Sequence, residues 1–224
     1  QTIRGMRVAS KKLSLPIISG NVSFYNETNN KSIPPTPQIG SVGVINDYRK
    51  VISLSSFSND DNLYIIGETK GHLSSSAYER TIFDFNKTKN FSIPPKTNLD
   101  DEVRVSKVIQ NLIQKSLITA CHDISDGGLL IAIIEMCLAK GTGFNFFSLP
   151  KSHKILFGED QSRYLITVNR SNKASFDKVL KKSNVYYKSY GNFTERKQIL
   201  KFPDKSSIKL DYIKSVRKFW ESKV

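Results

Sequence analysis

The sequence predicts an α/β or α+β fold, in which helices pack on a β-sheet. Two observations support this fold class. After a stretch rich in Ser and Asn, Lys50–Asp61, strand-like and helix-like segments alternate in the order β, α, β, α, β, α. The chain has 224 residues, of which 38% are hydrophobic, so it is long enough to bury a substantial core. We therefore predict one unit over residues 1–58 and a second unit over residues 59–224.

The first unit is predicted to contain one helix and two short strands. Helical spacing of apolar residues predicts a helix over Ile3–Leu13, and Pro16 ends it. Pro16–Ser19 has the pattern of a short buried strand, and Ile39–Val44, with its two glycines, that of a strand close to another backbone. So short a unit cannot bury its apolar residues alone. We therefore expect exposed apolar surface near Ile17, Ile39 and Val42, and self-association or poor solubility of the isolated chain.

The second unit supplies most of the predicted secondary structure. The predicted strands are Asn62–Gly67, Ser116–His122 and Tyr164–Val168. The predicted helices are Val103–Lys115, Gly128–Lys140, Ala174–Lys181 and Asp211–Ser222. The run Gly128–Ala139 is the most apolar of the chain, but it contains Glu135 and is too short to span a bilayer. It therefore predicts a buried helix, which Gly141 ends.

The charge and the cysteines narrow the class of protein. The formal net charge is +14, and residues 151–224 hold 18 Lys and Arg against 7 Asp and Glu, a net +11. A basic nucleic-acid-binding module is therefore an alternative. The lysines are spread singly, however, and the sequence has no aromatic-basic RNA-binding pattern, helix-turn-helix signal or zinc knuckle. The two cysteines form neither a disulfide framework nor a CxxC clip, which favours a reducing, cytosolic setting.

A first candidate site follows the predicted strand Pro16–Ser19. Gly20 would let a backbone approach a ligand, because it has no side chain. Asn21 offers a carbonyl oxygen to a hard cation, and Ser23 offers a hydroxyl to a polar substrate. The alternative is a surface turn, since Gly, Asn and Ser are common turn residues.

Three further segments contain residues that can carry chemistry. His122–Leu129 joins a strand to a helix, where N–H groups favour an anion, Ser125 or Asp126 can cap the helix, and the imidazole and carboxylates can bind a metal. Gly67–Ser76 can cradle a phosphate through N–H groups and hydroxyls, although it lacks the spacing of a P-loop. Phe157–Tyr164 is acidic and then basic. For His122–Leu129 the alternative is a capped strand-to-helix turn with a solvated His122, and for Phe157–Tyr164 it is a charged turn with a weak surface ion pair.

Taken together and in this order, these segments resemble the synthetase subunit of phosphoribosylformylglycinamidine synthase, subunit II of the bacterial three-subunit enzyme. The resemblance is carried by Pro16–Glu27, Pro34–Gly40, His122–Leu129 and Gly158–Tyr164. Proteins of this family are much longer and contain two related halves, each with an A and a B domain as in aminoimidazole ribonucleotide synthetase. The resemblance implies the end of the second, barrel-forming A domain over residues 1–58 and the second, α/β B domain over residues 59–224. The chain begins with Gln1 instead of Met, which agrees with the expectation of a C-terminal part.

The resemblance implies a cytoplasmic ligase of purine biosynthesis. ATP would activate the amide oxygen of formylglycinamide ribonucleotide, and ammonia would displace phosphate to give formylglycinamidine ribonucleotide, ADP and phosphate. The expected partners are a glutaminase subunit that supplies the ammonia, a small bridging subunit and the missing N-terminal half. No nucleic acid or membrane partner is expected, and the fragment alone is expected to be inactive.

The same resemblance assigns roles to residues of the first motif. Gly20 would contact ATP, Asn21 would bind Mg²⁺ and Ser23 would contact the substrate. The catalytic His of the family belongs to the first half. No catalytic residue is therefore predicted here, and neither His72 nor His122 takes that role.

Two positions of the second unit match functional positions of the first half of the family. Asp123 matches a magnesium-binding Asp, and Glu159–Gln161 match a substrate-binding Glu-Ser-Gln. In the second half, these residues are expected to serve a structural nucleotide pocket or to have no ligand role.

Overall fold

The structure is a computed structural model that describes residues 1–22, 26–34, 36–82, 92–150, 152–195 and 199–211. The chain divides into two compact units, Gln1–Tyr48 and Arg49–Val224. Among the described residues, no helix has the length and apolar character needed to cross a membrane.

The first unit begins with helix α1 (Thr2–Leu13), which confirms the predicted helix. Ser14 ends this helix in the left-handed conformation, and its N–H donates to the Lys11 carbonyl. The strands β1 (Glu27–Thr28) and β2 (Lys31–Ser32) then pair antiparallel. Asn29 and Asn30 join them with φ values of 52° and 55°, a conformation that Asn adopts more readily than most residues in tight hairpin turns.

The two strands predicted for the first unit are wrong. Pro16–Ser19 and Ile39–Val44 are irregular and exposed, and no described residue of this unit pairs with either segment. The physical reason is that a strand needs a neighbouring strand for its N–H and C=O groups and a surface on which to bury one face. Ile18 is 93% exposed and Val42 is 101% exposed. The expectation of exposed apolar residues is confirmed, because Ile17 and Ile39 are exposed as well.

The second unit contains seven strands and five helices in its described part. In chain order they are β3 (Asn62–Ile66), α2 (Ala77–Ile82), α3 (Leu99–Gln114), β4 (Ala120–Asp123), α4 (Gly128–Lys140), β5 (Gly143–Phe146), α5 (His153–Phe157), β6 (Tyr164–Val168), α6 (Lys173–Ser183), β7 (Tyr187–Thr194), β8 (Ile199–Lys201) and β9 (Ser207–Lys209). The order β3, α3, β4, α4, β6, α6 confirms the predicted alternation. The predicted helix Asp211–Ser222 lies outside the described residues apart from its first residue.

The seven strands form one mixed sheet with the order β4-β6-β3-β7-β5-β8-β9. The central strand β3 is antiparallel to both of its neighbours, β6 and β7. Its side chains alternate between two cores: Leu63 and Ile65 pack with helix α4, whereas Tyr64 and Ile66 pack with helices α3 and α6. Because helices cover both faces of β3, four consecutive residues of this strand are buried. The α/β fold class is confirmed.

Two helices of this sheet follow directly from their apolar patterns. Helix α4 has the predicted bounds, buries residues on several sides and exposes Glu135. Helix α3 buries a single stripe, which consists of Val105, Val108, Ile109 and Leu112. Strands β5, β7, β8 and β9 are not among the predicted strands. Strand β7 contains Lys188, Ser189 and Asn192, and so lacks the apolar pattern of a buried strand.

Candidate functional site

Three loops of the second unit meet beside the ends of strands β3, β4 and β6. They are the loop after β3 (residues 67–76), the turn before α4 (residues 124–127) and the segment between α5 and β6 (residues 158–163). Each loop belongs to one of the segments that the sequence analysis selected. The carboxylates of Glu159 and Asp160 join the three loops through hydrogen bonds to backbone N–H groups.

The Asp160 carboxylate fills the anion cradle that the sequence predicts after strand β3. This residue is only 6% exposed. Its Oδ2 accepts from the N–H groups of Lys70 at 2.9 Å and Gly71 at 2.8 Å, and its Oδ1 accepts from the N–H of His72 at 3.2 Å. Successive N–H groups of this kind form a concave site for an anion. The anion held at this place is therefore part of the protein itself.

The Glu159 carboxylate has the corresponding role at the two nearby helix starts. Its Oε1 accepts from the N–H of Ala77, the first residue of α2, and from the N–H of Gly127, the residue before α4, at 2.8 Å each. The prediction that Ser125 or Asp126 caps α4 is wrong, because that helix has no side-chain cap from its own turn. A carboxylate near a helix N-terminus is stabilised by the helix dipole, whichever segment supplies it.

Arg163, the residue directly before strand β6, also belongs to this network. Its guanidinium donates to the carbonyls of Asp160 at 2.8 Å and Gly158 at 2.6 Å, and to the Thr69 hydroxyl at 3.2 Å. Arg163 is only 2% exposed. Burial lowers the pKa of Arg163, and the nearby Asp160 charge opposes that change. The interpretation of this segment as a surface turn with a weak ion pair is therefore wrong.

Two glycines make room for the close approach of the loops. Gly67 has a φ of 97°, and a Cβ at this position would lie 2.1 Å from the Ser162 carbonyl oxygen. A Cβ at Gly128 would lie 2.7 Å from the Gly158 carbonyl oxygen. The start of helix α4 therefore lies in close contact with the loop at residue 158.

The imidazole of His122 is held by carboxylates and lies beside this network. Its Nε2 is 3.0 Å from Glu135 Oε2, and its Nδ1 is 3.3 Å from Asp123 Oδ1. Asp126 is exposed, and its carboxylate makes no ion pair or hydrogen bond with another described residue. Within the described ranges, no group of three or more His, Cys, Asp or Glu residues can hold a metal ion. The interpretation of this motif as a metal site is therefore wrong.

The first candidate site lies in the other unit. Gly20 and Asn21 are exposed in an irregular stretch, and a Cβ at Gly20 would meet no atom of the described residues within 4 Å. Ser23 lies outside the described residues. The bridging roles of Glu159 and Asp160 are not among the predictions from the sequence. The signal available for them was an acidic pair four residues before a buried strand, with an arginine directly before that strand.

Comparisons with known proteins agree with the architecture of the second unit. Residues 59–200 match the family model described as AIR synthase related protein, C-terminal domain. One relative is the phosphoribosylformylglycinamidine synthase subunit PurL of Pelagibacter ubique, 37% identical over 217 residues, or 94% of this chain and 28% of the relative. Another is the PurL subunit of Parvibaculum lavamentivorans, 42% identical over 177 residues, or 78% of this chain and 24% of the relative.

The predicted resemblance to the synthetase subunit is confirmed by these relatives. The chain spans about a quarter of the length of the curated relatives that it matches.

Solved structures show the same fold at low sequence identity. Thermotoga maritima PurL complexed with FGAR matches with a TM-score of 0.60 and 14% identity, over 74% of this chain and 29% of that chain. The same protein complexed with ATP matches with a TM-score of 0.56 and 10% identity, over 73% and 27%. The match to PurLQS from that organism has a TM-score of 0.55 and 12% identity, over the same shares. The family model covers more than half of the residues of this chain. The chain therefore belongs to the AIR synthase related family.

Proposed function

We propose that this chain contributes to the ATP-dependent ligase that converts formylglycinamide ribonucleotide and ammonia to formylglycinamidine ribonucleotide. One observation carries the proposal: the 37% identity to the Pelagibacter ubique subunit extends over 217 residues and therefore over most of both units. The proposed domains are the end of a second A domain over residues 1–58 and a second B domain over residues 59–224. The chain alone is proposed to be inactive, and its location is proposed to be cytoplasmic.

Gly20, Asn21 and Ser23 are proposed to bind ATP, Mg²⁺ and the substrate, respectively. The roles of Gly20 and Asn21 are supported by their exposure. The Asn21 side chain also makes no hydrogen bond to another described residue, so its amide oxygen is available to a ligand. An amide oxygen is a suitable ligand for Mg²⁺, which binds few protein groups and takes its other ligands from phosphates and water. Bound Mg²⁺ would neutralise charge that develops on the phosphate oxygens. Asn21 would supply one oxygen to that ion and orient it.

The proposed partners follow from what the solved relatives contain. Thermotoga maritima PurL has been solved with FGAR and with ATP, and it is part of PurLQS. For this chain we propose formylglycinamide ribonucleotide as the substrate. We propose a glutaminase subunit, a small bridging subunit and an N-terminal half as protein partners. The exposed apolar residues of the first unit, such as Ile18 and Val42, support contact with a further polypeptide segment.

A chimera tests this proposal directly. This chain replaces the matching segment of the Pelagibacter ubique relative, and phosphate release is measured with ATP, Mg²⁺, ammonium and formylglycinamide ribonucleotide. We expect activity that depends on all four components, and loss of at least about a hundredfold with Asn21→Ala, since a metal ligand to the transferred phosphate would be missing. Asn46→Ala, a change of the same type at another exposed residue of the first unit, is the matched control and retains activity. A folded chimera without substrate-dependent phosphate release contradicts the proposal, and full activity of Asn21→Ala removes Asn21 from the site.

A further inference from the structure

A second potential binding site lies on the α3 and α6 side of the sheet. A cleft of about 540 Å³ lies between the loop after β3, the start of α3 and the segment that follows α6. Its floor includes three buried apolar residues, Val105, Leu180 and Val185, and the exposed Tyr186 adds an aromatic ring. A volume of this size is typical of sites for small molecules.

The carboxylates that line this cleft are mostly engaged by other groups of the protein. Asp160 accepts the three N–H groups of the loop after β3. Asp101 forms an ion pair with Arg104 and accepts from the Asn98 amide at 2.6 Å. Glu68 is exposed and has no ion pair within the described residues.

The lysines of the cleft, in contrast, have no acidic partner among the described residues. Lys70, Lys96 and Lys181 are exposed and line the cleft, and none forms a salt bridge in the part of the chain that the structure describes. The ionised groups that line the cleft are four cations, Lys70, Lys96, Lys181 and Arg104, and three carboxylates, Glu68, Asp101 and Asp160, which sum to +1. Unpaired ammonium groups around an apolar floor favour a ligand that carries both an anionic group and a ring or carbon skeleton.

We infer that this cleft binds a phosphorylated small molecule, with its phosphate at Lys70, Lys96 and Lys181 and its ring on the apolar floor. The inference goes beyond the proposed function, since that function rests on Gly20, Asn21 and Ser23 of the other unit. The binding test below needs neither Mg²⁺ nor catalytic turnover. Failure of one proposal therefore leaves the other intact.

The test is a titration of the ¹⁵N-labelled chain, followed by the amide signals of residues 67–72 and 180–187. The probes are phenyl phosphate, which has charge and ring, inorganic phosphate, which has charge only, and phenol, which has a ring only. We expect saturable shifts with phenyl phosphate, with a Kd at least about threefold lower than that of inorganic phosphate, and no saturation with phenol. Absence of saturable shifts, or equal affinity for both phosphates, overturns the inference.

A pair of matched variants separates the cleft from general attraction to a basic protein. The variant Lys70→Gln/Lys96→Gln/Lys181→Gln is expected to weaken phenyl phosphate binding by at least about tenfold, because each charge-assisted hydrogen bond is lost. The control Lys107→Gln/Lys178→Gln/Lys182→Gln removes the same charge from exposed lysines of α3 and α6 outside the cleft, and changes the Kd by less than about twofold. Equal weakening by both variants means nonspecific attraction and overturns the inference.

Discussion

The Asp160→Ala substitution tests whether one carboxylate holds the loop network of the second unit together. The change removes an acceptor from three backbone N–H groups, of which the one at Gly71 is buried and the others are partly buried. An unsatisfied buried N–H costs about 1–3 kcal/mol, and partial access to water lowers that cost for Lys70 and His72. We therefore expect a loss of about 3–5 kcal/mol in the free energy of unfolding, a large share of the ~5–15 kcal/mol typical of a domain.

Two further variants make this expectation specific to the hydrogen bonds. Asp160→Asn keeps one oxygen, which can still accept from Lys70 and Gly71, so we expect a smaller loss of about 1–2 kcal/mol. Asp126→Ala removes an exposed carboxylate of the neighbouring turn, and should change stability by less than about 0.5 kcal/mol.

The assay is urea unfolding followed by far-ultraviolet circular dichroism, with amide hydrogen exchange at residues 70–72 as a local measurement. We expect these amides to exchange slowest in the unsubstituted chain, faster in the Asp160→Asn variant and fastest in the Asp160→Ala variant. The reasoning is refuted if Asp160→Ala costs no more than Asp126→Ala, or if Asp160→Asn costs as much as Asp160→Ala.

Two further predictions concern the glycines and the cysteines. Gly67→Ala should cost at least about 3 kcal/mol, because its Cβ would lie 2.1 Å from the Ser162 carbonyl oxygen, whereas Gly141→Ala, with a φ of 76° and open space, should cost about 1–2 kcal/mol. Equal urea midpoints for the two variants would rule out the clash. Burial raises the pKa of Cys121 and of Cys137 from 9.0 to about 12, so that roughly one thiol in 10⁴ is ionised at pH 8. Because folding favours the neutral thiol, this contribution to stability is complete below pH 9.0 and declines as the pH rises towards 12. The native chain should therefore react with a thiol reagent far more slowly at pH 8 than the chain in urea, and rapid native labelling would contradict the shift.

Local patterns predicted the elements whose stability depends mainly on their own residues. Helix α4 has the predicted bounds, since its apolar run ends at a glycine that adopts the left-handed conformation. Helix α3 was predicted from its single buried stripe, although its start lies four residues earlier, where Asn98 caps it. Strand β7 was missed because its polar residues are held by pairing with β3 and β5, which no local pattern reveals.

The same distinction applies to the loops of the candidate site. The sequence indicated an anion cradle after β3 and an anion at the start of α4. It did not indicate that the anions are Asp160 and Glu159. Along the sequence, Asp160 is about 90 residues from the N–H groups whose hydrogen bonds it accepts, and Glu159 is 32 residues from Gly127. The order of the strands in the sheet decides which carboxylate lies next to a given N–H group.

The amino-acid sequence by itself determined the α/β class, the alternation of strands and helices, and the resemblance to the synthetase family, because these depend on local spacing and on contiguous motifs. The tertiary structure decided which of these motifs are internal supports and which remain exposed. The motifs of the second unit are bound by their own carboxylates and by Arg163, whereas Gly20 and Asn21 stay exposed in an irregular segment. The physical reason is that burial and hydrogen-bond pairing are properties of residues distant along the chain, and only the folded arrangement brings them together.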